Sequence, residues 1–586
     1  MDGFLPPTGS PPRGYWFAGF RLEPEGKLLR GETPIELPSE ELVVLRLLLE
    51  RAGEIVSPIE LRRALWGDMQ VAAASVAACV ASLRTRLQPE DCIEEVVGRG
   101  YRLLVAVQPD SEPSVGSTLP RLVIVPFTAG LGAPEYLALA ATEEITEQLS
   151  DSRGAVATVL APDSVLALAR RGLGAREIGE TLHADLVLTG VLRASHGLCR
   201  MRVEMVRVED GAQLWVEDLL ADCARVTALA VEVVKRLMFR LQDGGRAISA
   251  VAAEHSLESA EPQEDTGANE LYLRAHWEWQ SLERHRMHVA MGQLEQAIEL
   301  DPKLAAARVD LVRLCVAREL LGFMPAKAAA EVAMRASVSP IGSVGHAEHF
   351  MPGLGWIRFH VEHDLRAALR AFARSAHLPH SLWTTRLRTM LALSRHRFDE
   401  ALGLLRAAID VDPYSPWLQA ELGWALHLAG EASASVDQAR KAMETFPEHY
   451  AAPLCGAMIL AYNGEAASAE SVARELVERL PHFDAATAVH AYALACAGRA
   501  DEARDLLQRL DWLTRERFVM RTFNVAAYAA LGEVDRALTE LHAAMDDRCP
   551  WFFQMLADPR LGSLHGRPEF EAMRAVLAAM EAEATS

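Results

Sequence analysis

Residues 71–103, VAAASVAACVASLRTRLQPEDCIEEVVGRGYRL, decide the fold of the N-terminal region. This stretch predicts a helix, a short acidic turn and a β-hairpin. In the helix, apolar residues recur at three- and four-residue spacing and form one buried stripe, which consists of Val76, Val80, Leu83 and Leu87. The hairpin pairs residues 93–97 with residues 101–105 around Gly98-Arg99-Gly100, because the two glycines provide the backbone freedom for a tight turn.

The helix surface opposite this stripe carries small side chains, which are Ser75, Ala78, Ser82 and Thr85. Arg84 and Arg86 lie in the last turn, where cations complement the helix dipole. A small-faced helix followed by an arginine-tipped hairpin suits a helix in the DNA major groove and a hairpin on the adjacent backbone or minor groove. A small α/β module with a solvated hairpin explains the stretch equally well.

The whole chain has 586 residues, of which half are apolar, and a net charge of −21. A chain of this length is expected to form several domains with sizeable cores. An acidic protein is, as a whole, a poor binder of polyanions. Any contact with nucleic acid must therefore be local.

Eight cysteines are scattered along the chain without a C-x-x-C pair. This pattern argues against a disulfide framework and against a zinc site, and it favours a reducing compartment. The N-terminus has no apolar core of a signal peptide, and no run approaches the ~18–20 apolar residues of a membrane span. We therefore predict a cytoplasmic protein that contacts no membrane and carries no metal or cofactor.

Upstream of residue 71 the sequence predicts strands at 15–22 and 28–37, followed by helices at 40–51 and 59–65. With the decisive stretch, this order resembles the OmpR/PhoB-type winged helix-turn-helix over residues 15–107. The resemblance is carried by four motifs, Ser39-Glu40-Glu41-Leu42, Leu65-Trp66-Gly67, Leu83–Leu87 and Val97–Leu103. Residues 1–14, rich in Pro and Gly, are predicted to be a disordered tail.

The resemblance implies binding of double-stranded DNA, and it assigns contacts by position. The predicted base contacts are Ser75, Ala78 and Ser82, the predicted phosphate contacts are Arg84, Arg86 and Tyr101, and the predicted wing contacts are Arg99 and Arg102. The helix departs from its relatives, because alanine, cysteine and serine stand where they usually carry long polar side chains. Residues 1–108 have 12 basic and 15 acidic residues, a net charge of −3, which predicts modest affinity and a shallow salt dependence.

Two alternatives apply to single arginines. For Arg84, an ion pair within the domain is as good an interpretation as a phosphate contact. Arg62 and Arg63, on the preceding helix, are interpreted as solvated helix surface.

A Pro/Ser/Gly linker at residues 108–119 leads to an α+β domain with a mixed sheet at 120–243. This domain resembles the TolB-like (FlgO-like) family through Val123–Phe127, Ile178–Gly190 and Asp210–Trp215. The resemblance implies a non-catalytic module that couples domains or mediates association. Gly172 and Gly174 lack the context of a phosphate-binding loop and are interpreted as a turn.

A second linker, residues 244–269, precedes a repetitive region. Glycines recur at a spacing of 34 residues, at positions 430, 464, 498 and 532, and prolines do so at 379, 413, 447 and 481. A period of 34 is that of the tetratricopeptide repeat. Residues 270–586 are therefore predicted to form about eight repeats and a C-terminal cap, an all-α superhelix with a concave groove for a protein or peptide. Four nearby histidines are interpreted as solvated helix residues rather than as a zinc site, at positions 346, 349, 360 and 363.

The complete order predicts a multidomain chain with an α/β winged helix, an α+β mixed-sheet domain and an all-α tetratricopeptide superhelix. It resembles the HilA/CadC-like class of transcriptional regulators, without a transmembrane segment. The resemblance implies a regulator that binds promoter DNA and is not an enzyme. RNA polymerase and a second copy of the chain are further candidate partners. The alternative is a scaffold that has lost DNA binding and retains partner binding through its repeats.

Overall fold

A computed structural model gives the fold of the chain. It describes residues 14–17, 20–22, 27–30, 33–35, 37–53, 55–66, 73–87, 92–96, 99–105, 107–110, 119–151, 157–160, 162–242, 255–256, 267–280, 283–338, 349–375 and 382–585. Most of the predicted tail and both predicted linkers lie outside these residues, as does His346. The chain divides into two compact units, residues 1–118 with 369–379 and all remaining residues.

The first unit contains short strands around three helices. Its elements in chain order are β1 (Gly14–Phe17), β2 (Phe20–Leu22), β3 (Leu28–Arg30), β4 (Thr33–Ile35), α1 (Ser39–Glu50), α2 (Pro58–Trp66), α3 (Ala73–Arg86), β5 (Ile93–Val96), β6 (Gly100–Leu103) and β7 (Val107–Asp110). The order of strands, three helices and hairpin confirms the predicted winged-helix fold.

A capping box opens α2. The Ser57 backbone N–H donates to Glu60 Oε2 at 2.9 Å, and the Glu60 N–H donates back to Ser57 Oγ at 3.2 Å. Reciprocal bonds of this kind satisfy two backbone donors that the first turn of a helix leaves open. Pro58, the first residue of α2, needs no such partner because it has no N–H.

The strands of this unit form two sheets. Strands β4-β3-β2-β1-β7 make an antiparallel sheet, and β5 pairs with β6 separately. The predicted strand at 15–22 is two strands, because the chain reverses between Phe17 and Phe20, which pair across the hairpin. Strand β7 lies in the segment assigned to the linker, where pairing with β1 satisfies its backbone groups.

The second unit begins with a mixed sheet. Its elements are β8 (Arg121–Ile124), β9 (Thr128–Ala129), α4 (Glu135–Asp151), β10 (Thr158–Val159), α5 (Pro162–Arg170), α6 (Ala175–Thr181), β11 (Leu186–Ser195), β12 (Leu198–Arg207), β13 (Gln213–Asp222), α7 (Val226–Gln242) and β14 (His255–Ser256). Strand β8 runs parallel to β10 and β11, whereas β11, β12 and β13 form an antiparallel meander. The predicted mixed sheet is confirmed.

Helices cover both faces of this sheet. On one face α4 and α7 pack on Leu188, Leu192 and Met201, which are all fully buried. On the other face α5 and α6 pack on Val123 and Val187. Adjacent residues of β11 therefore point to opposite cores, as the alternation of a strand requires.

Cys199 and Cys223 form a disulfide within this sheet domain, between the start of β12 and the residue that follows β13. The expectation that the cysteines form no disulfide framework does not hold for this pair. The two positions are 24 residues apart in sequence, and the pairing of Cys199 with Ala221 in the β-ladder brings them together. The spacing of the cysteines in the sequence does not predict this pair.

The rest of the second unit is helical, and one of its helices, Leu365–Arg374, continues from Leu369 into residues assigned to the first unit. Its helices are α8 (Ala268–Trp279), α9 (Arg284–Leu300), α10 (Ala305–Leu320), α11 (Ala326–Ser337), α12 (Met351–His360), α13 (Leu365–Arg374), α14 (Leu382–Ser394), α15 (Phe398–Val411), α16 (Pro416–Leu428), α17 (Ala432–Thr445), α18 (Ala451–Tyr462), α19 (Ala466–Arg479), α20 (Asp484–Cys496), α21 (Ala500–Leu513), α22 (Thr522–Ala530), α23 (Val534–Asp546), α24 (Phe552–Met555) and α25 (Pro568–Thr585). A 3-10 helix spans Pro559–Leu564.

The 34-residue period coincides with helix pairs. Gly430, Gly464, Gly498 and Gly532 all have φ between 75° and 86°. Each lies in the turn between the two helices of a pair, from α16/α17 to α22/α23. Glycine fits there because a positive φ is strained for residues with a Cβ. The predicted all-α repeat architecture is confirmed. No helix among the described residues is long and apolar enough to cross a membrane.

The sheet domain contacts the repeats through a buried cluster between α5 and the turn before α16. Asp412 accepts hydrogen bonds from the backbone N–H of Ser164 at 3.0 Å and from its hydroxyl. Ser415 donates to Asp163 at 3.2 Å. Burial, and then the neighbouring Asp163 charge, raise the pKa of Asp412 to about 7.

We predict that Asp412→Asn stabilises the chain more at pH 8 than at pH 5. The folded carboxyl keeps its proton up to about pH 7, whereas an unfolded aspartate loses it near pH ~4. The folded state therefore binds more protons in this window, and the free energy of unfolding falls as the pH rises through it. Asparagine removes this penalty, of the order of 1–4 kcal/mol.

Thermal unfolding of the full chain at both pH values measures the effect. Asp410→Asn, an exposed neighbour on α15, is the matched control and should shift neither melting curve. A stabilisation by Asp412→Asn that is equal at both pH values would contradict the prediction.

Candidate nucleic-acid interface

Helix α3 packs on the core through the predicted stripe. Val76, Val80, Leu83 and Leu87 are all at most 1% exposed. On the other side Ala77, Ala78, Ala81 and Thr85 are exposed. The side chain of the remaining predicted base contact, Ser75, lies outside the described part of the structure. The exposed face of α3 is therefore smooth and carries few hydrogen-bonding groups.

Glu41 of α1 holds two of the predicted DNA contacts. It is 5% exposed and accepts a hydrogen bond from Ser82 Oγ at 2.7 Å. Its second carboxylate oxygen lies 2.8 Å from Nε of Arg86. Because Arg86 stays partly exposed, at 38% of its side chain, it keeps a surface that can approach a phosphate. Ser82 is committed to the contact between α1 and α3.

Arg84 ties α3 to the hairpin. Its Nε donates to the backbone oxygen of Ile93, the first residue of β5, at 2.9 Å. This bond differs from the alternative of an ion pair with the acidic turn, because the acceptor is a main-chain carbonyl. The contact fixes the hairpin relative to α3, which a winged helix requires if helix and wing are to bind one DNA duplex.

The hairpin presents Arg99 at its tip. Arg99 is exposed, and its guanidinium forms no hydrogen bond or ion pair with any described residue. Gly100 follows with φ +145°, and a Cβ there would lie 2.1 Å from the oxygen of Val56. The second glycine of the Gly-Arg-Gly motif is therefore required by a close approach of two backbones as well as by its φ.

The other two residues of the wing are engaged within the domain. Tyr101 is 6% exposed and lies in the core, and its backbone N–H donates to Val56 at 2.9 Å. Burial raises its pKa. Arg102 forms an ion pair with Glu94 across the hairpin, at 2.6 Å. A phosphate contact by Arg102 would compete with this pair, whereas Arg99 is free to bind.

Two arginines of α2 have the same freedom as Arg99. Arg62 is half-buried and Arg63 is exposed, and neither side chain has a hydrogen bond or ion pair with the described residues. From the sequence we interpreted both arginines as solvated helix surface. Glu60, three residues before Arg63, pairs with Arg51 at 2.7 Å instead, and sequence spacing alone could not show this choice of partner.

Two sequence comparisons identify proteins similar to this chain. Residues 31–103 match the family described as "Transcriptional regulatory protein, C terminal". The transcriptional regulator HilA of Salmonella typhimurium strain LT2 is 27% identical over 311 residues, which are 52% of this chain and 54% of HilA. HilA of Salmonella typhi is 26% identical over the same share of each chain. The chain thus matches about half the length of these curated relatives.

Two solved structures resemble the chain at low similarity. A tetratricopeptide repeat protein from Parabacteroides merdae covers 54% of this chain and 98% of its own, with a TM-score of 0.28 and 13% identity. The Cut9–Hcn1 hetero-tetramer of APC/C covers 62% of this chain and 66% of its own chain, with a TM-score of 0.37 and 16% identity. The resemblance of the sheet domain to the TolB-like family stays a prediction.

We predict that Glu41→Gln loosens α3 without unfolding the domain. Glutamine still accepts from Ser82 but cannot form the ion pair with Arg86, a loss of about 1 kcal/mol. Hydrogen–deuterium exchange of residues 76–87 in the full chain should become about fivefold faster.

Glu95→Gln is the matched control, since Glu95 is exposed on β5 and forms no ion pair with a described residue. Its exchange should equal that of the wild type. Equal exchange in Glu41→Gln would show that the carboxylate does not anchor α3.

Proposed function

We propose that the chain is a DNA-binding transcriptional regulator whose helical repeats receive a protein partner or ligand. The proposal rests on two features that occur together, the smooth exposed face of α3 and Arg99 at the tip of the wing, which has no partner among the described residues. A helix without bulky side chains can enter the major groove closely, and alanine contacts the methyl group of thymine. The family match of residues 31–103 and the likeness to HilA support this proposal.

In this mechanism the wing and the helix have different tasks. Arg99 binds a phosphate or the minor groove, and Arg62, Arg63 and Arg86 are further phosphate candidates. The face of α3 reads bases through Ala78 and the neighbouring small residues, with Ser75 as a further base contact. Because few long donors face the bases, DNA shape contributes a large part of the specificity.

The proposal extends to partners and location. A partner or ligand at the repeats changes domain arrangement or oligomeric state and so changes promoter occupancy. RNA polymerase and a second copy of the chain are the proposed further partners, and the cytoplasm is the proposed location. The proposed domains are residues 15–107, 120–243 and 270–586, and the sheet domain couples the other two. No step in this mechanism requires a catalytic group.

One observation favours the alternative of a scaffold without DNA binding. Ser82, Arg84, Arg86 and Arg102 are all engaged within the N-terminal unit, at 2.6–2.9 Å. A regulator whose contacts are committed to its own fold would bind DNA weakly. Selection from random DNA with the full chain distinguishes the two functions, because a scaffold enriches no sequence.

We predict that Arg99→Ala weakens binding to the selected DNA about five- to tenfold, because one charged contact is lost. The slope of log affinity against log salt should become shallower by about 1. Fluorescence anisotropy over a salt series measures both values.

Arg193→Ala is the control, since Arg193 is an exposed arginine of β11 in the sheet domain. It should bind like the wild type. If no sequence is enriched, or if Arg99→Ala binds like the control, the proposed DNA contact is wrong.

A further inference from the structure

The first helix of each late repeat is buried on nearly all sides. In α16, α18 and α20, ten residues are buried out of 13, 12 and 13 respectively. In their partner helices α17, α19 and α21, only three of 14 are buried. A helix that packs on one neighbour buries one stripe, so the first helices must be covered on a second side as well.

Adjacent repeats cover much of this second side, since α16 packs on α18 and α18 packs on α20. The chain's own segment from residue 551 to residue 564 adds buried contacts to α16 and α20. It follows α23 and contains α24 and the 3-10 helix. Its aromatic part contacts the first helices of two early repeats. Nε1 of Trp551 donates to the backbone oxygen of Leu320, at the end of α10, at 3.0 Å. The ring of Phe553 packs on Phe359 of α12, with centroids 5.0 Å apart.

The middle of the segment contacts α16. Gln554 Oε1 accepts a hydrogen bond from Nε1 of Trp424 at 3.1 Å. Asp558 Oδ1 lies 3.4 Å from Nε2 of His427. Both contacts are buried, so the groove supplies specific polar partners to the segment as well as apolar surface.

The segment also contains a buried ion pair that lies against α16 and α20. Arg560 and Asp558 lie 2.6 Å apart, with side chains 2% and 0% exposed. The Arg560 guanidinium stacks over the rings of Trp424 and of Tyr492 on α20, 5.1 Å from each centroid. The pair holds the pKa of Asp558 well below its usual range, despite burial. The segment therefore contacts the first helices α10, α12, α16 and α20, along the surface on which helical repeats bind ligands.

One detail shows that the segment is an imperfect ligand. Gln554 Nε2 is buried and has no hydrogen-bond partner among the described residues. A buried donor without a partner costs about 1–3 kcal/mol. A residue at this position that accepts from Trp424 without adding a donor would bind better.

We propose that residues 551–560 are an intramolecular ligand that occupies the inner surface of the repeats, and that the partner of this surface is a peptide of the same chemistry. Such a peptide carries two or three adjacent aromatic residues followed by an Asp-x-Arg sequence, and it displaces the segment. This inference rests on the proposed role of the repeats as a partner platform and is independent of DNA binding. The segment keeps the repeat surface closed until a competing peptide displaces it.

Anisotropy of a fluorescein-labelled peptide of residues 550–564 tests the proposal. A tethered segment competes at an effective concentration in the millimolar range, so wild-type full chain should bind the free peptide weakly. The full-length variant Trp551→Ala/Phe553→Ala should bind it at least about tenfold more tightly. The same peptide with both substitutions should not bind this variant.

Trp512→Ala is the matched control, because Trp512 is an exposed tryptophan of α21, 52% exposed. It should bind the peptide as weakly as the wild type. If the double variant is folded by circular dichroism and does not bind the peptide, the proposal is overturned. Equal binding to the wild type and the double variant also overturns it.

A second measurement avoids substitutions in the segment. A protease site inserted after Asp547, which is exposed and follows α23, allows the folded full chain to be nicked. A labelled peptide of residues 548–586 should then exchange into the nicked chain and be chased by excess unlabelled peptide. Absence of exchange in a nicked chain that stays folded overturns the proposal, whatever the outcome of the DNA selection.

Discussion

Burial of the first helices on two sides is the constraint on which the repeat region depends. Each of these helices packs on its partner helix and must also find cover on its inner side. Exposed inner faces with residues such as Trp424 would leave large apolar surface in water. Neighbouring repeats supply much of that cover, and the C-terminal segment adds contacts to α16 and α20. Its buried Asp558–Arg560 pair is tolerated because both ions are paired and hydrogen-bonded. In the proposed closed state, residues 551–560 occupy the part of the inner surface that a partner peptide would cover.

In the N-terminal unit, several polar side chains are used for contacts within the fold. Glu41 and Arg84 position α3 and the hairpin by contacts to polar groups, and these contacts use side chains that in a winged helix could face DNA. What remains for a ligand is a smooth helix face, together with Arg62, Arg63 and Arg99, which have no partner among the described residues. The unit therefore favours close approach and backbone contact over direct hydrogen bonding to bases. For the proposed DNA complex, this distribution predicts modest affinity.

The sheet domain contacts the repeats through a buried cluster of carboxyl groups. Asp412 and Asp163 are buried close together, and serines provide most of their hydrogen bonds. Two carboxyl groups in one buried cluster cannot both ionise without cost. The contact between α5 and the start of α16 is thus sensitive to proton concentration near neutrality. This sensitivity arises only because the two residues, remote in sequence, meet in the fold.

The sequence by itself determined the architecture of this protein and its helices in the N-terminal unit, whereas the strands at 15–22 and 107–110 were divided or missed. The stripe from Val76 to Leu87, the Arg99-Gly100 part of the hairpin tip and the 34-residue glycine period are local signals, and each corresponds to the observed structure. Local periodicity reports which side of a helix is buried, because burial repeats with the geometry of the helix.

Only the tertiary structure decided which polar groups are free. It committed Ser82 to Glu41 and Arg102 to Glu94, joined Cys199 to Cys223, and placed residues 551–564 against the inner helices. Such pairings join positions far apart in the chain, and Asp558 lies 131 residues from its partner His427. No sequence period encodes them, because the distance between two side chains depends on how the whole chain folds.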